Sequence, residues 1–168
     1  MNRAALWTAC AAFALCLNAA AADGIRNGAL NGEVVAVNDG DTLVVQVQQK
    51  RIQVRLAEID APELRQSFGD HAAASLADLC LQKPASLETL GADSTGRLIA
   101  RVRCNEVDAG AAQVKRGMAW VSVSGKLLKQ ASPLFYLQDV AQRSREGLWK
   151  EPSPVAPWVW RKVQQKSH

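Results

Sequence analysis

A chain of 168 residues, 48% of them hydrophobic, is one domain's worth of material with enough apolar mass for a real core, and no internal repeat or second domain divides it. The net charge of +4 hides a division: residues 23–96 hold 6 basic and 11 acidic side chains, net −5, whereas residues 97–168 hold 13 and 5, net +8. A basic remainder around an acidic pocket suits a polyanion held near a cation, although moderately basic surfaces are common.

In chain order, Met1-Asn2-Arg3 is a short positive start, Ala4 to Leu17 is apolar, and Ala20-Ala21-Ala22 offers small residues before Asp23. This predicts a cleaved secretory signal peptide over residues 1–22, which sends the chain to a periplasm or out of the cell with no membrane attachment afterwards. The apolar run is shorter than the roughly 20 residues a bilayer requires. Cys10 and Cys16 leave with that peptide, so Cys80 and Cys104 remain. In an oxidising compartment an even pair is most simply a disulfide; two buried free thiols are the alternative. A zinc site is disfavoured because only His71 and His168 are available, neither spaced with the cysteines as paired ligands.

Residues 23–32 are a Gly- and Asn-rich lead-in, residues 33–149 the main domain and residues 150–168 a Pro- and Trp-rich tail. Strands are predicted at 33–38, 42–48 and 51–58, an antiparallel meander turning at Asp39-Gly40-Asp41 and at Gln49-Lys50. Ile52, Val54 and Leu56 alternate with Gln53 and Arg55, the period of a half-buried strand, and Pro62 stops the pairing near Asp60. Asp41 and Asp60 then become neighbours. Two carboxylates at close range repel unless a cation or a proton sits between them.

A loop at 64–69 leads to a helix at 70–81 with Ala72, Ala73, Leu76, Leu79 and Cys80 on one face. Strands at 85–90 and 97–104 follow, joined by a turn at 91–96. A short helix at 110–116 closes at Gly117, and residues 118–123 form an apolar segment. Ser132 and Pro133 open a helix to about 146, with Leu134, Leu137, Val140 and Ala141 as its buried stripe and Gly147 beyond its end. Pro152, Pro154 and Pro157 argue against regular structure between Trp149 and Trp160, whose tryptophans are expected to lie back on the domain. Five strands with a helix between the third and fourth is the layout of an OB-fold barrel, although strand counting alone fits an open α+β sheet equally well.

Three motifs in register, Asp39-Gly40-Asp41-Thr42, the stretch from Arg55 through Asp60 to Pro62-Glu63, and Asp93 with Gly96-Arg97, resemble the staphylococcal nuclease (thermonuclease) family. The similarity extends over most of the chain after about residue 32, including Gly117-Met118-Ala119 and Gly147-Leu148-Trp149. The resemblance implies an α+β fold: a five-stranded OB-fold-type β-barrel with about three helices packed on it. It implies one calcium ion held by Asp41, Asp60 and the carbonyl of Ala61, an all-oxygen set that suits a hard cation. It implies that Arg55 and Arg97 are catalytic, their planar guanidinium forks bonding the oxygens of a five-coordinate phosphorus, and that Glu63 is the general base. The implied activity is hydrolysis of DNA and RNA at the P–O5′ bond, leaving 3′-phosphates, by a monomer.

The chain departs from the family's pattern in two places. Ser94-Thr95 stands where the family has lysine-tyrosine, groups that contact the terminal phosphate. Val123 and Gly125 stand where tyrosines pack on the nucleotide. Two other readings are an OB-fold nucleic-acid-binding module without catalysis, and an export-compartment domain that uses its tail as a contact surface. Retention of both arginines, the glutamate and both aspartates favours catalysis, because binding alone requires no such set.

Overall fold

The computed structural model describes residues 29–122 and 132–166. The predicted signal peptide, Cys10, Cys16, Val123 and Gly125 lie outside the described residues. The first strand, β1 (Ala29–Val37), starts earlier than the predicted residue 33, because residues 29–33 pair with a later strand. It is followed by β2 (Thr42–Val47) and β3 (Lys50–Leu56), the expected meander. The turn between β2 and β3 falls at Gln48-Gln49, one residue before the predicted position, with Gln48 at a φ of 52°. β3 stops at Leu56 rather than Glu58, since Glu58 takes a φ of 64° and turns the chain out of the ladder. The next two residues form a strand of their own, β4 (Ile59–Asp60).

Helix α1 (Gly69–Cys80) follows, then β5 (Pro84–Ala92) and β6 (Leu98–Cys104), a short β7 (Val107–Asp108), α2 (Ala109–Lys115) and β8 (Trp120–Val121). Asp108 caps α2 by accepting from the Ala111 amide at 2.8 Å. β1 lies between β2 and β5, β6 lies beyond β5, and β6 returns to pair with β3 in parallel, Val54 with Leu98, Arg55 with Ile99 and Leu56 with Ala100. That last pairing closes a five-stranded barrel of the OB type. It removes the exposed edges that an open sheet would keep.

The barrel interior is filled by residues from alternate positions of its strands: Val34, Leu43, Val45, Val54, Leu56, Leu87 and Val102 are all at most 2% exposed, whereas Ile52 is only partly buried. Ala72, Leu76 and Leu79 of α1 and Val114 of α2 pack against this cluster. Cys80 and Cys104 form a disulfide that ties the end of α1 to the end of β6. Gly117 and Gly147 take φ of 64° and 51°, the left-handed region expected of helix-ending glycines.

Helix α3 (Pro133–Arg143) begins at the Ser132 cap, whose hydroxyl accepts from the Leu134 amide. Leu134 and Ala141 are buried and Leu137 is partly so, but Val140 is 39% exposed and drops out of the predicted stripe. A 3-10 turn (Gly147–Lys150) places Trp149 against Trp120, with ring centroids 4.3 Å apart. The tail then corrects the expectation of irregular structure: α4 (Pro157–Lys166) is a ten-residue helix, the fourth α-helix among the described residues. Pro152 and Pro154 precede it, and Pro157 opens it, where a missing N–H costs nothing. Trp158 lies edge-on to Trp120 at 5.8 Å, so the tail tryptophans do pack back on the domain. No helix among the described residues is long and apolar enough to cross a membrane.

Candidate active site

The site begins in the loop between β1 and β2. Asp39 accepts from the Asp41 amide at 2.9 Å, a local bond that shapes the turn, and Gly40 packs so closely that an added Cβ would sit 2.5 Å from that of Ala72 and 2.6 Å from that of Ala61. Gln113, fully buried on α2, donates to the carbonyls of Gly40 at 2.8 Å and Ala72 at 2.9 Å and accepts from Ser75 at 2.7 Å. The loop is thus fixed from both sides. Asp41, 3% exposed, is held at the mouth of β2.

Antiparallel pairing sets Thr42 opposite Arg55, which delivers the guanidinium to Asp41. Its Nη1 lies 2.9 and 3.0 Å from the two Asp41 oxygens, and its Nη2 lies 3.2 Å from Oδ1 of Asp60. Glu58, the nearby glutamate, pairs instead with Arg101. Asp60 is positioned by β4, whose pairing with β8 sets it opposite Trp120. Ala61 is buried, and its amide donates to Asp41 at 3.0 Å, which joins the two acidic segments. Asp41 and Asp60 are neighbours, as the strand order predicts: one guanidinium touches both.

Arg97 arrives from the opposite half of the chain. Asp93 organises the turn before β6 by accepting from the Thr95 amide and hydroxyl and the Arg97 amide, and it pairs with Nε of Arg97 at 2.7 Å. Those bonds, the Thr95 hydroxyl first, hold the Asp93 carboxyl well below the usual range. Barrel closure sets Ile99, two residues on from Arg97, beside Arg55. Asp39, Asp41, Arg55, Ala61, Pro62, Glu63 and Arg97 all line one cleft of about 290 Å³. Asp60, 2% exposed, lies behind its guanidinium partners. A separate, larger groove of about 540 Å³, lined by Leu56, Arg101, Leu134 and Leu137 among others, contains none of the predicted site residues.

One further residue lines the cleft that the sequence reading did not foresee. Arg161 of α4 donates through Nη2 to Asp60 Oδ2 at 2.7 Å and through Nη1 to Asp60 Oδ1 at 3.1 Å and Glu63 Oε1 at 2.8 Å. Gln113 was also missed. A polar residue on an apolar helix face was the only signal for Gln113, and Arg161, about a hundred residues from its partners, gave none.

The electrostatics show a site rich in negative charge. Burial pushes the Asp41 carboxyl up to about 7; the Arg55 charge opposes this, and the charges of Asp39 and Asp60 add to it. Burial also works against the Arg55 charge, but attraction to Asp41 and Asp60 outweighs it and raises its pKa. Among the described residues no three acidic, imidazole or thiolate groups converge into a self-sufficient metal cage. The donors that do converge are two buried carboxylates, Asp41 and Asp60, bridged by the Arg55 guanidinium. All-oxygen carboxylate donors of this kind are what a hard divalent cation prefers.

Comparison with known proteins adds the family. Residues 53–151 match the family model described as staphylococcal nuclease homologue. The chain is 35% identical over 146 residues to the micrococcal nuclease of Shigella flexneri, covering 81% of this chain and 83% of that protein. It is 37% identical over 144 residues to protein ParB of Escherichia coli, covering 79% and 80%, and 39% identical over 136 residues to an uncharacterized endonuclease of Haemophilus influenzae, covering 79% and 73%. The barrel, the cleft at its β1–β2 mouth and relatives of this similarity along most of their length lead to one assignment: the chain belongs to the staphylococcal nuclease homologue family.

Proposed function

We propose that this protein is an exported, calcium-dependent nuclease that hydrolyses the phosphodiester bonds of DNA and RNA, works as a monomer and leaves 3′-phosphates. The observation that supports this best is the shared cleft, with Asp41, Arg55, Glu63 and Arg97 on its wall and Asp60 behind. Asp41, Asp60 and the Ala61 carbonyl would hold calcium, which when bound supplies Lewis acidity toward a phosphate oxygen.

The chain's own groups divide the remaining work. Glu63, 37% exposed at its side chain, faces solvent well enough to accept a proton from an attacking water at a carboxylate oxygen. Arg97, 31% exposed and paired with Asp93, is free to exchange that partner for the oxygens of a phosphate. Arg55 keeps Asp41 and Asp60 in place and offers its exposed edge to the developing charge. Thr95 is committed to Asp93 and does not replace the phosphate contacts of a lysine-tyrosine pair. Base stacking contributes roughly 1–3 kcal/mol per base, so the departures at 123 and 125, with the lost phosphate contacts at 94–95, point to a substrate affinity or preference that differs from the family pattern.

The test is digestion of single- and double-stranded DNA and of RNA by the mature protein, with calcium and with a calcium chelator, followed by end analysis of the products. Chelator-sensitive cleavage is expected, and Glu63→Gln and Arg97→Ala should each lower turnover by about a hundredfold or more. Undiminished turnover in either variant rejects its assigned role. Tight binding with intact substrate would favour the module without catalysis.

A further inference from the structure

Arg161 holds two groups that the reaction needs. Both oxygens of Asp60 accept from it, and Oε1 of Glu63 accepts from the same Nη1. Asp60 is 2% exposed and lies behind the guanidinium groups of Arg55 and Arg161. A cation approaching Asp60 from the cleft therefore meets a positive charge already seated there.

That charge can withdraw. The Arg161 side chain is 39% exposed, and only Pro157 of its helix is buried. The helix is placed by Trp158, which leans on Trp120, while the backbone of Trp120 pairs with Asp60. Trp158 and Arg161 are three residues apart, one helical turn, and so share a face. Upstream, Ser67 bonds to Glu151 and Gln66 to the carbonyl of Val155, which tether the approach to the helix.

From this arrangement we infer that Arg161 is a built-in counter-cation of the site, through which α4 competes with the divalent ion for Asp60 and sets its affinity. The inference rests on the calcium reading given above and deepens it. With the ion absent, Arg55 and Arg161 neutralise the carboxylates and Glu63 is engaged. With the ion bound, Arg161 is repelled and Glu63 is released to face water. The helix thus couples the state of the base to the presence of the ion.

The experiment is calorimetric titration of calcium chloride into the full mature chain and two variants, alongside steady-state kinetics. A unit charge about 5 Å from a divalent ion weakens binding by about an order of magnitude even in water, so Arg161→Gln should bind calcium roughly tenfold more tightly than the parent. Trp158→Ala keeps the arginine but loosens its helix, and should shift affinity in the same direction by a smaller factor. Equal or weaker calcium binding in Arg161→Gln overturns the inference while leaving the calcium reading intact. Unchanged calcium affinity with a raised KM would place Arg161 on the substrate and overturn it as well. Absence of calcium binding in the parent and both variants would sink the metal reading itself, and this inference with it.

Discussion

Replacing Arg55 with methionine keeps an apolar stem of similar length and removes the charge that Asp41 and Asp60 share. Stripping one partner from a buried ion pair costs roughly 3–5 kcal/mol. Arg55 is 24% exposed and Arg161 still holds Asp60, so a loss of about 3 kcal/mol is expected near pH 8.5. The loss should depend on pH. The folded-state pKa of Asp41 is raised to about 7 from 3.8, so its stabilising proton is fully bound below the unfolded value and is lost as pH rises through 7. Near pH 5.5 Asp41 is protonated and asks for no counter-charge, so the substitution there should cost only about 1 kcal/mol. Urea denaturation without calcium, followed by tryptophan emission at both pH values, measures this. An equal cost at the two would refute the reasoning.

Two further outcomes are expected. Gln113→Leu keeps the volume but takes a donor from the Gly40 and Ala72 carbonyls and the acceptor from the Ser75 hydroxyl, and should lower stability by about 2–3 kcal/mol in urea denaturation and depress nuclease activity by freeing the Asp41 loop. Replacing both Cys80 and Cys104 with serine reopens a loop with a sequence separation of 24, for which chain entropy gives about 3.5 kcal/mol. The drop in thermal midpoint should match that of the reduced parent, and a midpoint unchanged in both would deny the bridge its role.

What could be read from the chain alone was whatever local pattern governs. The alternation of Ile52, Val54 and Leu56 gave β3 and turned Arg55 away from the buried face, and the Asp-Gly turn placed Asp41 at its mouth. The break before Glu58 lay in the pattern itself, since Glu58 stands where the alternation of Ile52, Val54 and Leu56 calls for an apolar residue, and its positive φ turns the chain out of the ladder. Val140 was misjudged because α3 rests on a narrower stripe than its apolar residues suggested. Prolines were weighed by number rather than position: Pro157 at a first helical turn starts α4 instead of forbidding it. Arg161 was invisible for a different reason. Its partners are brought near by the packing of Trp158 on Trp120, a meeting that no spacing in the sequence encodes.

The parallel seam between β3 and β6 has a consequence of its own. Each arginine belongs to a different half of the chain, and the three residue pairs at the seam, from Val54 with Leu98 to Leu56 with Ala100, keep them in register. Neither half possesses a complete apparatus. On the proposed assignment, cutting power therefore arrives as the ring shuts and departs as it opens.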